Sequence, residues 1–277
     1  MMNKKSKEQI SKIGLLYHPY MEGRALDLAK RIAQKLEAMG IQSWLCPAWE
    51  EDKARSLTSD SSLIISIGGD GTVLRAARAA AAHSVPLLSI NMGKLGFMTE
   101  LEASEAMDKL DVYLSEEKIR KDARAMLKST VIRQGMDKEE FHALNDVLVA
   151  RGTLPRTIQV KAKINEEDFT TFRGDGILVA TATGSTGYAL SLGGPILHPQ
   201  SRDLLMKAVS PHLSLSTAVI FPSDTLITLE LSSEQQSIVS IDGQIDRELK
   251  KGDRVIVQIS PFQTVFFVTK KNEKIPN

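Results

Sequence analysis

The pattern of apolar and polar positions opens with KIGLLY, residues 12–17, a short continuous apolar run of the kind a strand buried on both faces requires. Behind it Leu28, Ile32, Leu36 and Met39 recur at helical spacing, and Gly40 stands where such a helix ends. QSWLC, then LIISI, an alanine-rich helix over about residues 73–82 and PLLSI before Asn91 continue the alternation. Strands alternating with helices imply a parallel sheet covered on both faces, so the first part of the chain reads as a Rossmann-like α/β domain.

After a polar helix over about residues 104–117 the texture changes. AMLKSTVIRQ, FHALNDVLVA, TIQVKAKI, DFTTF, ILVATAT, TLITLEL, SIVSI, RVIVQI and TVFFVT are short β-rich runs, most of them bounded by Gly, Asp, Asn or Pro. They predict an antiparallel, sandwich-like β domain, and the fold class is α/β plus β. The boundary is expected between Ile119 and Ala123. This divides the chain into an α/β domain over 1–121, a β-rich domain over 122–263 and a C-terminal segment over 264–277. Within FHALNDVLVA a strand puts Asn145 and Asp146 on opposite faces, so one of them faces a core or a site; a bulge or a strand end accounts for the pair equally well.

Composition narrows the function classes. The 277 residues are 42% hydrophobic and 25% charged, enough for two ordinary soluble cores, and 35 Lys plus Arg against 34 Asp plus Glu leave a formal charge of +1. That balance gives no global signal for nucleic acid or a membrane surface. No apolar run approaches a membrane span, the charged opening lacks a signal-peptide core, and the single Cys46 excludes an internal disulfide, so a cytoplasmic protein is expected. His18, His83, His142, His198 and His212 lack metal-ligand spacing, and Ser185 lacks the Gly-x-Ser-x-Gly frame. These read as structural or surface residues, and no metal site built by the chain itself is expected.

The chemistry concentrates in GGDGT, residues 68–72, between LIISI and the alanine-rich helix. It has neither dinucleotide-fingerprint nor Walker spacing. One reading is a tight turn in which glycine supplies positive φ and Thr72 caps the helix. The other is an anion cradle, since glycines before a helix let N–H groups and the helix dipole meet phosphate. Asp70 would repel that phosphate, so it must face a hydroxyl to be activated or a metal ion bridging both charges.

GGDGT resembles the phosphate-site signature of NAD kinases, of diacylglycerol and sphingosine kinases and, in related form, of phosphofructokinases, all of which transfer phosphoryl groups to hydroxyls. Three further stretches resemble bacterial NAD kinases: INMGKLGFMTEL from residue 90, ALNDVLVARG from 143, and RGDGILVATATGSTGYALSLGGPILHP from 173. SIDGQ, from residue 240, is similar to that family's Asp-Gly-Gln turn. The resemblance implies an NAD kinase, which phosphorylates the 2′-hydroxyl of the adenosine ribose of NAD with ATP or polyphosphate as donor and Mg2+ accompanying the donor, and it implies that the C-terminal segment, with TVFFVTK from residue 264, returns to the first domain.

By that resemblance Asp70 orients and deprotonates the acceptor hydroxyl, and Gly68, Gly69, Gly71 and Thr72 form the donor-phosphate loop. NAD contacts are implied for Asp70, Gly71, Arg75, Phe97, Asn145, Asp146, Arg156, Arg173, Asp175, Thr183, Thr186, Gly187, Tyr188, Ser191 and Gln244. Among these, Arg75, Arg156 and Arg173 stand where the family has basic phosphate ligands, and Tyr188 is placed to stack on a purine. Asp175 is similar to a family residue that reaches the nucleotide of a neighbouring subunit, which implies a homo-oligomer, a dimer or tetramer. Two departures are Asp146, where Glu is frequent, and Gly187, where alanine is usual. The rival readings are a lipid or sugar kinase using the same loop and a non-catalytic NAD sensor. VLRAARAA follows the loop where lipid kinases have Asn-Glu-Val-Val, and the intact Asp70 speaks against a sensor.

Overall fold

The computed structural model describes residues 10–269 apart from residues 22, 94, 95, 97, 116–118, 135, 136, 155, 213 and 214. The described residues as far as Ala123 join those from Thr264 in one compact unit, and Arg124–Gln263 form the other.

The first unit runs β1 (Lys12–Tyr17), α1 (Arg24–Ala38), β2 (Gln42–Pro47), α2 (Glu51–Thr58), β3 (Leu63–Gly68), α3 (Asp70–Ala81), β4 (Leu87–Asn91), β5 (Leu101–Glu102) and α4 (Ala103–Leu114). The strands pair in parallel in the order β2, β1, β3, β4, with β5 beside β4. Alternate residues of the strands, Ile13, Leu15, Ile65, Ile67, Leu88 and Ile90, share one core with Leu28, Ile32 and Leu36 of α1 and with Leu110 and Tyr113 of α4. The intervening residues face the other way, as period-two geometry requires, and α3 packs on β3 and against α2. Helix α2 has no apolar stripe to announce it: among its eight residues only Ala54 and Thr58 are buried.

The second unit contains β6 (Ile119–Ile132, which begins in the first unit), β7 (Lys138–Ala143), β8 (Asp146–Arg151), β9 (Ile158–Ile164), β10 (Glu167–Gly174), β11 (Gly176–Ala180), the short helix α5 (Tyr188–Ser191), β12 (Leu204–Val209), β13 (Val219–Phe221), β14 (Ile227–Leu231), β15 (Ser237–Ile241), β16 (Ile245–Leu249) and β17 (Arg254–Thr269). Six strands form an antiparallel sheet in the order β13, β12, β11, β8, β15, β16. Val147 and Val149 of β8, Ile177 and Val179 of β11, and Val239 and Ile241 of β15 pack with Val160 of β9, Phe172 of β10, Leu229 of β14 and Val257 of β17 in one cluster. This is the two-sheet core that alternating apolar residues build. The opposite residues of β11, Leu178 and Ala180, lie under Ala189 of α5 and are buried as well, which explains why that strand reads as apolar throughout.

The sequence separates RVIVQI from TVFFVT, but the two are one strand, β17, continuous through Pro261. Its start pairs antiparallel with β14, and Phe266 pairs in parallel with Leu87 of β4. Thr269 donates its backbone N–H at 2.8 Å and its hydroxyl at 3.1 Å to Glu100, which also accepts the Tyr113 hydroxyl at 2.7 Å. Among the described residues no helix is long and apolar enough to cross a membrane.

Gly14 of β1 is a packing requirement. A Cβ there would stand 2.2 Å from Trp44 Cζ2 and 2.6 Å from Ile64 Cδ1, and the Trp44 ring is pinned by its Nε1–H, which donates to Ser61 Oγ at 3.0 Å. Gly14→Ala is therefore expected to lose about 1–3 kcal/mol of stability by overpacking, read from the urea midpoint. An unchanged midpoint would show that the indole swings aside freely.

Candidate active site

The GGDGT loop sits where β3 hands over to α3. Helix α3 starts at Asp70, three residues before the alanine-rich pattern suggests, with Gly69 as its N-cap at φ −101° and no side-chain cap. The turn reading of this loop is thus corrected in both parts. Gly68 and Gly69 are not used for positive φ, and Thr72 does not cap the helix. Gly68 is needed for close approach, because a Cβ would lie 2.1 Å from Thr72 Oγ1, which is turned toward the strand and is buried without a hydrogen-bond partner among the described residues. A Cβ on Gly69 would meet nothing within 4 Å, so the chain leaves open space there beside the positive end of α3.

Asp70 is half-buried, and its Oδ1 accepts the Met98 N–H at 3.3 Å. Gly96 lets the chain close over this carboxylate, since a Cβ on Gly96 would be 2.3 Å from Oδ1. Gly71 is exposed in the first turn of α3, and Phe97 lies outside the described residues. Arg75, one turn further along α3, pairs with Glu51 of α2 and lays its guanidinium 4.5 Å from the centre of the Trp49 ring. Glu51 also accepts from Arg78 at 2.8 Å, so one carboxylate from α2 serves two arginines of α3.

In the second unit the strand-end reading of FHALNDVLVA holds, and no single strand runs through it. β7 ends at Ala143 and β8 begins at Asp146, with a bend at Leu144 and Asn145. The cause is Asp242, whose carboxylate accepts three successive N–H groups: Leu144 at 3.1 Å, Asn145 at 2.8 Å and Asp146 at 3.2 Å. Those donors would otherwise serve a strand ladder. Asp242 returns its own N–H to the Asp146 carbonyl at 2.9 Å. It holds φ 52° in the turn between β15 and β16, followed by Gly243 at φ 62°, a pairing of Asp and Gly suited to a tight hairpin.

The bend in turn holds the hydroxyl-rich turn that follows β11. Thr181 donates its hydroxyl to the Leu144 carbonyl at 2.6 Å and its N–H to the Asn145 carbonyl at 2.9 Å, and accepts the Gly184 N–H at 3.0 Å. Gly184 presses so closely on Asn145 that a Cβ would lie 2.1 Å from its carbonyl oxygen. Gly187 has φ −93° and ψ −127°, and a Cβ there would be 3.3 Å from the Gly184 oxygen and 3.6 Å from Asn145 Nδ2.

Asn145 Oδ1 and Thr183 Oγ1 are both buried without a hydrogen-bond partner among the described residues, a condition native chains seldom tolerate without a ligand or water. Thr186 donates to the Thr183 carbonyl at 3.1 Å. Tyr188 begins α5 with 42% of its surface exposed, and Ser191 ends it, also exposed.

The structure thus brings Asn145, Asp146, Thr183, Thr186, Gly187 and Tyr188 together, and the hairpin carrying Gln244 anchors them. Arg156, in the loop before β9, and Arg173, on β10, are exposed. Asp175 accepts from Arg151 Nε at 2.7 Å. Of the SIDGQ turn, sequence reasoning selects Gln244, whereas the residue with the structural role is Asp242; its signal was the Asp-Gly pair between two alternating runs. Glu51 and Arg151 carry no such signal.

Burial, and then the negative charge of Asp242, raise the Asp146 pKa from its ordinary 3.8 to about 7. At neutral pH this carboxyl can thus donate a hydrogen bond as well as accept one. The folded chain keeps a proton that the unfolded chain loses, so the stabilisation from this group is whole below pH 3.8 and is lost as pH rises through about 7. Urea midpoints of the wild type are expected to fall relative to Asp146→Asn between these two pH values. A difference between the two proteins that stays flat with pH would contradict the shift.

Comparison with known proteins matches residues 7–118 to the ATP-NAD kinase N-terminal domain and residues 144–269 to the ATP-NAD kinase C-terminal domain. An NAD kinase of Dehalococcoides mccartyi is 40% identical over 243 residues, covering 87% of this chain and 85% of its own. One of Chloroflexus aurantiacus is 34% identical over 257 residues, covering 91% of each. Among solved structures, yeast NADH kinase complexed with NADH superposes with a TM-score of 0.87 at 20% identity, covering 97% of this chain and 86% of that one. An NAD kinase from Archaeoglobus fulgidus in complex with ATP gives 0.74 at 23% identity, covering 94% of each. Those two likenesses establish the fold, and the domain matches and bacterial relatives establish the family: the chain belongs to the ATP-NAD kinases.

Proposed function

We infer that this chain is an NAD kinase, transferring the γ-phosphoryl group of ATP to the 2′-hydroxyl of the adenosine ribose of NAD. The observation that carries this reading is the match of both halves of the chain to NAD kinase domains. The donor's phosphates are assigned to residues 68–72 at the N-terminus of α3, with Mg2+ arriving on them as part of the substrate. Asp70 takes the proton of the ribose hydroxyl, the oxygen attacks the γ-phosphorus, the bond to the β–γ bridging oxygen breaks, and ADP leaves. In support, the Met98 N–H fixes the Asp70 carboxylate, and the space beside Gly69 is open.

The adenosine end of NAD is assigned to Asn145, Asp146, Thr183, Thr186, Tyr188 and Ser191, beside Gly187, with Arg156, Arg173, Asp175 and Gln244 as further contacts. The unpartnered Asn145 and Thr183 oxygens and the exposed Tyr188 ring support this assignment. The working form is a cytoplasmic homo-oligomer, a dimer or tetramer; the resemblance of Asp175 to a residue that acts on a neighbouring subunit's nucleotide supports the oligomer.

The direct test incubates the purified chain with MgATP and NAD and assays NADP with an NADP-specific dehydrogenase. Absence of NADP would overturn the reading. Asp70→Asn is expected to keep the fold and NAD binding while kcat falls by about 10² to 10⁴; near-normal turnover removes Asp70 from the role of base. Tyr188→Ala is expected to raise KM for NAD by the equivalent of about 0.5–1.5 kcal/mol with little change in melting temperature. A collapse in melting temperature with unchanged KM would make Tyr188 a packing residue instead.

A further inference from the structure

Three rings stand together at the carboxyl ends of β1 and β2. His18 and Tyr20 follow β1 and Trp49 follows β2, with ring centroids 4.5 Å apart for His18 and Trp49, 5.8 Å for Tyr20 and Trp49, and 6.1 Å for His18 and Tyr20. Core packing does not account for them, because Tyr20 exposes 75% of its surface and Trp49 36%. They are nevertheless held in place. The His18 N–H donates to the Ile67 carbonyl at 2.9 Å, one residue before Gly68, and the Tyr20 N–H donates to His18 Nδ1 at 3.1 Å. Partial burial lowers the His18 pKa, so its ring is mainly neutral at pH 7.

The charges nearby are of both signs: Glu50 pairs with Lys53 just beyond Trp49, and Asp52 follows in the first turn of α2. The Arg75 guanidinium lies 4.5 Å from the Trp49 centroid, and Glu51 sets one negative charge against the two positive charges of Arg75 and Arg78. Arg75 is five residues beyond Asp70, about 7.5 Å along the helix axis. An exposed cluster of neutral rings next to the phosphate loop, with a guanidinium against one of them, suits a planar base with an anionic tail.

We propose that His18, Tyr20 and Trp49, which meet edge to face, form an aromatic platform whose exposed Tyr20 ring stacks on the base of the phosphoryl donor, a purine nucleoside triphosphate whose phosphates reach residues 68–72. The proposal rests on the NAD kinase reading and goes beyond it: it gives the donor's base a site of its own and favours a nucleotide over inorganic polyphosphate.

Two variants test it. Tyr20→Ala removes an exposed ring and is expected to raise KM for MgATP about tenfold while KM for NAD and the melting temperature stay unchanged. The chain has two tryptophans, so Trp44→Phe leaves Trp49 as the sole indole reporter. In that variant MgATP is expected to quench the fluorescence saturably without NAD, whereas inorganic tripolyphosphate does not. An unchanged KM for MgATP in Tyr20→Ala overturns the proposal, and so does a rise confined to KM for NAD, which would give the platform to the acceptor. Normal NADP formation without quenching by MgATP sinks the platform alone. Quenching by MgATP with no NADP formed by the wild type sinks the kinase reading and leaves a purine site standing.

Discussion

One carboxylate, that of Asp242, organises the second unit's candidate site. By accepting the N–H groups of Leu144, Asn145 and Asp146 it turns what would be a continuous strand into a bend, and the bend's carbonyls then hold Thr181 and the turn beyond it. An unpaired buried N–H costs about 1–3 kcal/mol, so three donors resting on one side chain make this corner depend on it. Burial raises the Asp146 pKa, and the charge of the same carboxylate raises it further. Asp242 therefore sets the position of the bend and adds to the shift that burial imposes on Asp146.

The first unit uses backbone proximity where the second uses a side chain. Gly68 lets β3 pass directly over Thr72, and Gly96 lets the following chain close on the Asp70 carboxylate, two approaches that a Cβ would prevent. Glu51 does related work on α3 by gathering Arg75 and Arg78, and through Arg75 it ties the helix to the exposed ring of Trp49. Phosphoryl transfer draws its catalysis mainly from positioning and charge, and both are present around this loop.

Much of this fold was legible because its signals are local. Period-two alternation marks strands such as β9 and β14, the apolar stripe marks α1, and the strand–glycine–helix order locates GGDGT without reference to any distant residue. Other features depend on partners far along the chain. The bend at Asn145 is imposed by a residue 97 positions away, the pairing of Arg75 by Glu51 on another helix, and the continuity of β17 through Pro261 by neighbours in the sheet. Helix α2 escaped notice because it buries only two small side chains. The site was legible as residue types in order; the contacts that aim those residues were not.

The dependence of NAD recognition on the Asp242 anchor is best tested by calorimetric titration of NAD into Asp242→Asn, with circular dichroism confirming the fold. The variant keeps one oxygen acceptor but sets an amide against the donors at the bend. NAD affinity is expected to fall about tenfold or more, the equivalent of about 1.4 kcal/mol. Wild-type affinity in the folded variant would contradict it.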